Sequence, residues 1–228
     1  MVSLIRKCLG KIPGLKYLKK KALLALRLKY IPILRQQIPP YCSIITNNCF
    51  GGRIPQDLGY TYNSPTAGLF FPYPDYITFL KFLPECIQAK LRLKQTSKHH
   101  GIQRYLDTLP YHVPVGYLEV EGREIEIIFL HYHTDEEAVE KWQRRCRRVN
   151  LNHLIVFGSD NDECTKEDII EFLRLPYKEK FFFSAHDYGI KDSNEYCTVK
   201  EMIKAGKINS YDQAHILYRY LCSLKYSE

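Results

Sequence analysis

No stretch of this chain stays apolar for the ~20 residues that a membrane-crossing helix needs. None of its eight cysteines stands in a C-x-x-C pair or another close metal-type spacing, which removes zinc ribbons and dithiol redox motifs. No apolar leader with a small-residue cleavage site opens it, so reduced cysteines and a cytoplasmic compartment are expected. There is no internal repeat, and tryptophan occurs once. Residues 1–41 contain no Asp or Glu.

That last absence locates the charge. The net charge is +8, and of the 33 Lys and Arg residues ten fall within residues 1–41. The remaining 23 face 25 acidic residues, so the basicity belongs to an amino-terminal arm and not to the body. A near-neutral body offers no broad cationic face, and no nucleic-acid partner is expected. The arm interleaves its lysines with Leu4, Ile5, Leu9, Leu15, Leu18, Leu24 and Leu28 at broadly helical spacing, with breaks at Pro13-Gly14 and Pro32. A basic, leucine-rich amphipathic segment suits an anionic membrane surface. Residues 1–35 are therefore expected to hold the protein peripherally at the inner face of the cell membrane. Gln36 to Pro40 reads as a linker because two prolines stop a helix there.

The chain thus divides into an arm and linker, 1–41, and a single α/β domain, 42–228. Apolar runs at 42–46, 125–131, 154–158 and 180–184 read as strands, with Val113 to Glu121 as hairpin partner of the second. Helices are expected over 75–93 with a break at Pro84, over 135–149, from Thr165 through Leu173, and over 199–205 and 211–224. Thr134 caps the second, and Thr165 with Asp168 has the spacing of a reciprocal cap. Strands alternating with helices predict a three-layer αβα fold with a largely parallel or mixed sheet.

Ligands of such sheets bind beyond the carboxyl ends of the strands. The richest strand end is Thr46-Asn47-Asn48-Cys49-Phe50-Gly51-Gly52-Arg53, read as a polar turn, with a second polar knot at Asn63-Ser64-Pro65-Thr66. Asn47 and Asn48 have the donors and acceptors that sugar hydroxyls need, and Gly51 and Gly52 let a backbone approach a ligand. Cys49 becomes a nucleophile if His131, His133 or His186 stands beside it, but the asparagines and glycines are the preferred positions. His131 and His133 alternate across a strand end, so one of them faces the crevice as a base. Asp160-Asn161-Asp162 after a strand has the form of a divalent-metal acidic cluster, with Asp160 the candidate catalytic carboxylate. Arg145 and Arg148 are candidate phosphate contacts, and Arg53 is a candidate substrate contact.

Three stretches together resemble a bacterial family found in capsule and exopolysaccharide gene clusters. They are TNNCFGGRIPQDLG with NSPTAGLFF, HYHTDEEAVEKWQRRCRRVN, and FFFSAHD, spread across about Cys42 to Leu224. The resemblance implies membrane-proximal work on a cell-surface polysaccharide, by a transferase, and marks Asn47, Asn48, Gly51, Gly52, Ser64, Pro65, His131, Glu140, Trp142, Arg145, Arg148 and Asn150. A glycosyl transferase would take a nucleotide-sugar or lipid-linked donor, with or without a divalent metal, and build on a lipid-linked glycan. An acyl or substituent transferase would take an acyl-CoA donor. A non-catalytic component of the assembly machinery is the third expectation.

Overall fold

The computed structural model describes residues 13–160, 163–208 and 213–223. Two arm helices come first, α1 (Pro13–Leu28) and α2 (Ile31–Gln37). Strand β1 (Ser43–Thr46) leads into α3 (Phe50–Leu58), and a long loop reaches α4 (Asp75–Lys81) and α5 (Leu83–Cys86). Then come β2 (Arg92–Lys94), α6 (His100–Leu106), the hairpin β3 (Val115–Val120) and β4 (Arg123–Ile128), and α7 (Asp135–Cys146). The chain closes with β5 (Leu154–Ser159), α8 (Lys166–Arg174), β6 (Glu179–Ser184), β7 (Tyr196–Thr198) and α9 (Ala214–Ser223).

The four strands β1-β5-β6-β7 lie side by side in that order, all parallel. Helices cover both faces of this sheet, giving the αβα layering, and the strands read as continuous apolar runs for that reason. Consecutive side chains go to opposite cores. Ile44, Ile155, Phe157, Phe181 and Phe183 pack with α2, α3 and α9. Ile45, Val156 and Phe182 pack with α4, α7, α8 and the hairpin. The 125–131 run does not join the parallel sheet. Its strand, β4, pairs antiparallel with β3 in a separate three-stranded sheet, which a bridge between Phe70 and Ile128 and apolar packing tie to the loop after α3.

Several expectations change for identifiable reasons. The second half of the polar turn after β1 is helix: Gly51 and Gly52 lie inside α3, as does Pro55. Gly51 is required there because a Cβ would meet Thr46 Oγ1 at 2.6 Å. The 75–93 helix splits at Pro84, which sits in the first turn of α5 where its missing N–H costs nothing. The arm helix α2 runs into the first two residues of the predicted linker and stops at Gln37, before the two prolines as expected. Pro32 occupies the first turn of α2, and Ile31, Leu34 and Ile38 are buried in the second core. The two caps form as expected, Thr134 accepting from Glu137 N–H and Thr165 pairing reciprocally with Asp168. The closing 199–205 segment is a single 3-10 turn at Ile203–Ala205.

Candidate active site

The parallel ladder between β1 and β5 ends at Thr46 and Phe157. Past that point a side chain takes over from the backbone. Asn47 Nδ2 donates to the carbonyl of Ser159 at 2.9 Å, and Asn47 Oδ1 accepts from the Ser159 N–H at 3.2 Å and from its hydroxyl at 3.3 Å. Asn48 continues the clamp, donating to Ser159 Oγ at 2.5 Å and accepting from Phe50 N–H at 2.8 Å. Thr46 Oγ1 accepts from Gly51 N–H at 3.1 Å. The first two amides of α3 are therefore satisfied by this chain's own side chains and are not free to hold an anion.

This scaffold holds Cys49 at the amino end of α3, between two clefts that it lines jointly. Its Sγ lies 3.0 Å from His131 Nε2, across 82 residues of sequence. His131 follows β4, and the loop that passes it needs Gly68, whose φ is +78° and whose Cβ would lie 3.5 Å from His131 Cβ. Burial pushes the Cys49 thiol up to about 11, against a smaller opposing pull from Arg53. Dehydration lowers the His131 pKa, although the residue as a whole remains exposed. Both shifts favour neutral partners, and in the tautomer with its proton on Nδ1 the imidazole accepts from the S–H at Nε2. At neutral pH only about one thiol in 10⁴ is ionised at such a pKa, and a base at Nε2 supplies what spontaneous ionisation does not.

The first cleft, about 440 Å³, adds Arg53, Gln56, Tyr62, Lys141 and Arg145 to Cys49 and His131. Among the described residues no carboxylate lines it. Arg145 donates to the Ala67 carbonyl at 2.7 Å and to the Tyr132 hydroxyl, and its guanidinium stands 5.0 Å from the Tyr62 ring centre. These partners are neutral and leave its charge uncompensated by contact. Lys141 pairs with Glu137 at 2.5 Å. Arg53 is buried, with Nη1 on Gln56 Oε1 at 3.0 Å.

The second cleft, about 550 Å³, places Asn48 and Cys49 with Asp160, Tyr188 and His186. Asp160 is buried and accepts from the Ser184 hydroxyl at 2.6 Å, the Ala185 N–H at 2.8 Å and the His186 N–H at 3.0 Å. Its Oδ2 also meets His186 Nδ1 at 2.9 Å.

The predicted residues therefore separate. His131 and Asp160 reach the clefts, as do Asn48, Gly52, Arg53 and Arg145. His133 does not: it is exposed, and its backbone N–H serves Glu137. Arg148 is exposed beyond the end of α7 and lines neither cleft. Ser64 is buried in its loop against Thr66, Asn47 is spent on Ser159, and Gly51 faces Thr46. Their work is structural because each faces inward, away from both clefts. Asn161 and Asp162 lie outside the described residues. Among the described residues, no group of three or more His, Cys, Asp or Glu is arranged to hold a metal. Lys141 was legible as a neighbour of Arg145 from their i, i+4 spacing on α7, whereas Tyr62 and Gln56 carried no sequence signal.

Because the thiolate is the species that alkylates, Cys49 labelling by iodoacetamide should be slow at pH 7. Its rate should rise toward a midpoint near 11. Site-resolved mass spectrometry across a pH series reads this. A midpoint at or below the ordinary thiol value would contradict the neutral pair.

Comparison with known proteins gives two findings. An uncharacterized protein of Haemophilus influenzae is 34% identical over 154 residues, a region covering 68% of this chain and 66% of that protein. The chain thus spans about two thirds of that relative's length. The model of a family described as a domain of unknown function, DUF1919, matches residues 30–226, from the last residue before α2 past the end of α9. The chain belongs to the DUF1919 family.

Proposed function

We propose that the protein is a transferase of cell-surface polysaccharide synthesis that moves an acyl substituent through Cys49, with His131 as the base. The observation that carries this reading is the 3.0 Å contact between Cys49 Sγ and His131 Nε2 at the junction of two open clefts. A buried thiol is a poor nucleophile until a base removes its proton, and a dehydrated neutral imidazole is suited to do so. The cationic cleft beside the pair supplies Arg53, Lys141 and Arg145 for an anionic donor such as an acyl-CoA. The polysaccharide setting rests on the three motif stretches.

A glycosyl-transfer reading draws on the same three cations, which can hold a nucleotide or lipid diphosphate. It is weakened at α3, whose first amides are already occupied. The two readings part at the sulfur. Incubation with acetyl-CoA should leave one acetyl group on Cys49, seen by intact-protein and peptide mass spectrometry, and Cys49→Ser should abolish the thioester. Absence of any Cys49 adduct with acetyl-, succinyl- and longer acyl-CoA donors would reject acyl transfer and favour the glycosyl reading.

The arm supports a membrane-peripheral place of work. Tyr17, Lys21, Leu24 and Leu28 fall on one face of α1 by helical spacing and are exposed. Arg27, about a quarter turn round the helix from that face, holds Asp57 of the body at 2.5 Å, and Asp57 also accepts from Tyr218. No helix among the described residues is long and apolar enough to cross a membrane. An apolar stripe set among lysines, with no acidic residue nearby in sequence, matches an anionic lipid surface. Co-sedimentation with phosphatidylglycerol vesicles should exceed that with phosphatidylcholine vesicles and fall at least several-fold in Leu24→Glu/Leu28→Glu. Equal binding of both proteins would refute the surface contact.

A further inference from the structure

The thiol–imidazole pair leaves a second pair unused in the other cleft. His186 is half exposed, while the carboxylate that holds it is wholly buried. Asp160 is fixed by two backbone N–H groups and a serine hydroxyl, so its position is set by the ends of β5 and β6 and not by solvent. A carboxylate on Nδ1 selects the tautomer with the proton there and leaves the Nε2 lone pair available. Space in front of Nε2 is kept by Gly206: a Cβ at that position would stand 3.4 Å from it, and the φ of +59° favours glycine. Cys49 and His186 line the same cleft, whereas His131 belongs to the other. A buried, fully hydrogen-bonded carboxylate aiming an imidazole into a cleft that also contains the nucleophile is the arrangement of an oriented general base.

We propose that His186, positioned by Asp160, is the base that activates an acceptor hydroxyl, so that Cys49 is acylated from the cationic cleft and deacylated into the other. This rests on the thiol-transfer reading above and names its second substrate class, a sugar-type alcohol. In the first half-reaction the Cys49 S–H proton passes to His131 Nε2 as Sγ bonds to the donor's acyl carbon. The bond from that carbon to the donor's leaving sulfur breaks, and the leaving group departs with the proton. In the second, the acceptor O–H proton passes to His186 Nε2 as its oxygen bonds to the acyl carbon. The Sγ–C bond breaks, and the proton returns to the sulfur, restoring thiol and imidazole. The second cleft mixes Asn48, Tyr188, Glu163 and Lys207 with apolar Phe70 and Ile208, a lining with polar groups for hydroxyls and apolar surface for the C–H faces of a sugar.

The test uses the full chain with p-nitrophenyl acetate as donor and N-acetylglucosamine as acceptor. The wild type should release one burst equivalent of p-nitrophenolate per chain and then turn over at a rate that rises with acceptor. His186→Ala should keep the burst and lose about 10²-fold or more of the acceptor-dependent rate, the scale of a general base. His186→Asn, which retains a donor for Asp160, should behave the same way and so exclude a folding effect. His131→Ala should lose the burst itself. An unchanged acceptor-dependent rate in both His186 variants would overturn the proposal and leave the thiol reading standing. Loss of the burst in them would assign His186 to acylation and overturn it equally. No burst in the wild type, or one that survives Cys49→Ser, would remove the thiol reading and this proposal together.

Discussion

The site depends on one carboxamide. Asn47 stands where the β1–β5 ladder has run out, and it donates to and accepts from the backbone of Ser159 as a further ladder residue would. Both residues are buried, so losing the side chain would remove buried hydrogen bonds to Ser159, at about 0.5–1.5 kcal/mol each. The positional effect matters more. Two residues after Asn47 comes Cys49, and one residue after Ser159 comes Asp160. The same clamp therefore fixes the sulfur on one side and the carboxylate that aims His186 on the other. The Tyr73 hydroxyl also donates to the Ser159 carbonyl, at 3.2 Å, which locks the junction from the helical side.

The electrostatics follow from how the two clefts share the sulfur. Burial keeps the thiol protonated, so Cys49 is quiet until His131 accepts its proton. Arg53, Lys141 and Arg145 gather on the His131 side, and the Asp160–His186 pair stands on the other. One cleft is thus suited to an anion and the other to a hydroxyl. The arm adds a third element at a distance, anchored through Arg27 and Asp57 and carrying its exposed leucines outward.

Much of the frame was legible because it obeys local rules. The runs at 154–158 and 180–184 are strands buried on both faces, and Thr134 and Thr165 start helices where their side chains can cap. The failures share a cause, which is tertiary contact overriding a local signal. Gly51 and Gly52 read as part of a turn, yet α3 runs through both. Thr46 lies against Gly51, and Gly52 packs against Ala67 and the Gly68 backbone. Strand β7 is only three residues long and exists because β6 offers it an edge. At the site, composition favoured the asparagines over the cysteine, and of the two only Asn48 lines a cleft with Cys49. Asn47 turns inward to Ser159, while Cys49 meets an imidazole that no spacing rule could bring to it. His131 and His133 were indistinguishable by alternation. The crossing of the Gly68 loop selects His131.

The central claim is that a covalent step at Cys49 decorates a cell-surface polysaccharide. Its most direct test is the chemical structure of that polymer in cells whose chromosomal copy carries Cys49→Ala. The account predicts a polymer with its sugar backbone intact and one acyl substituent missing, restored by the wild-type chain. A fully substituted polymer in the Cys49→Ala strain would contradict it.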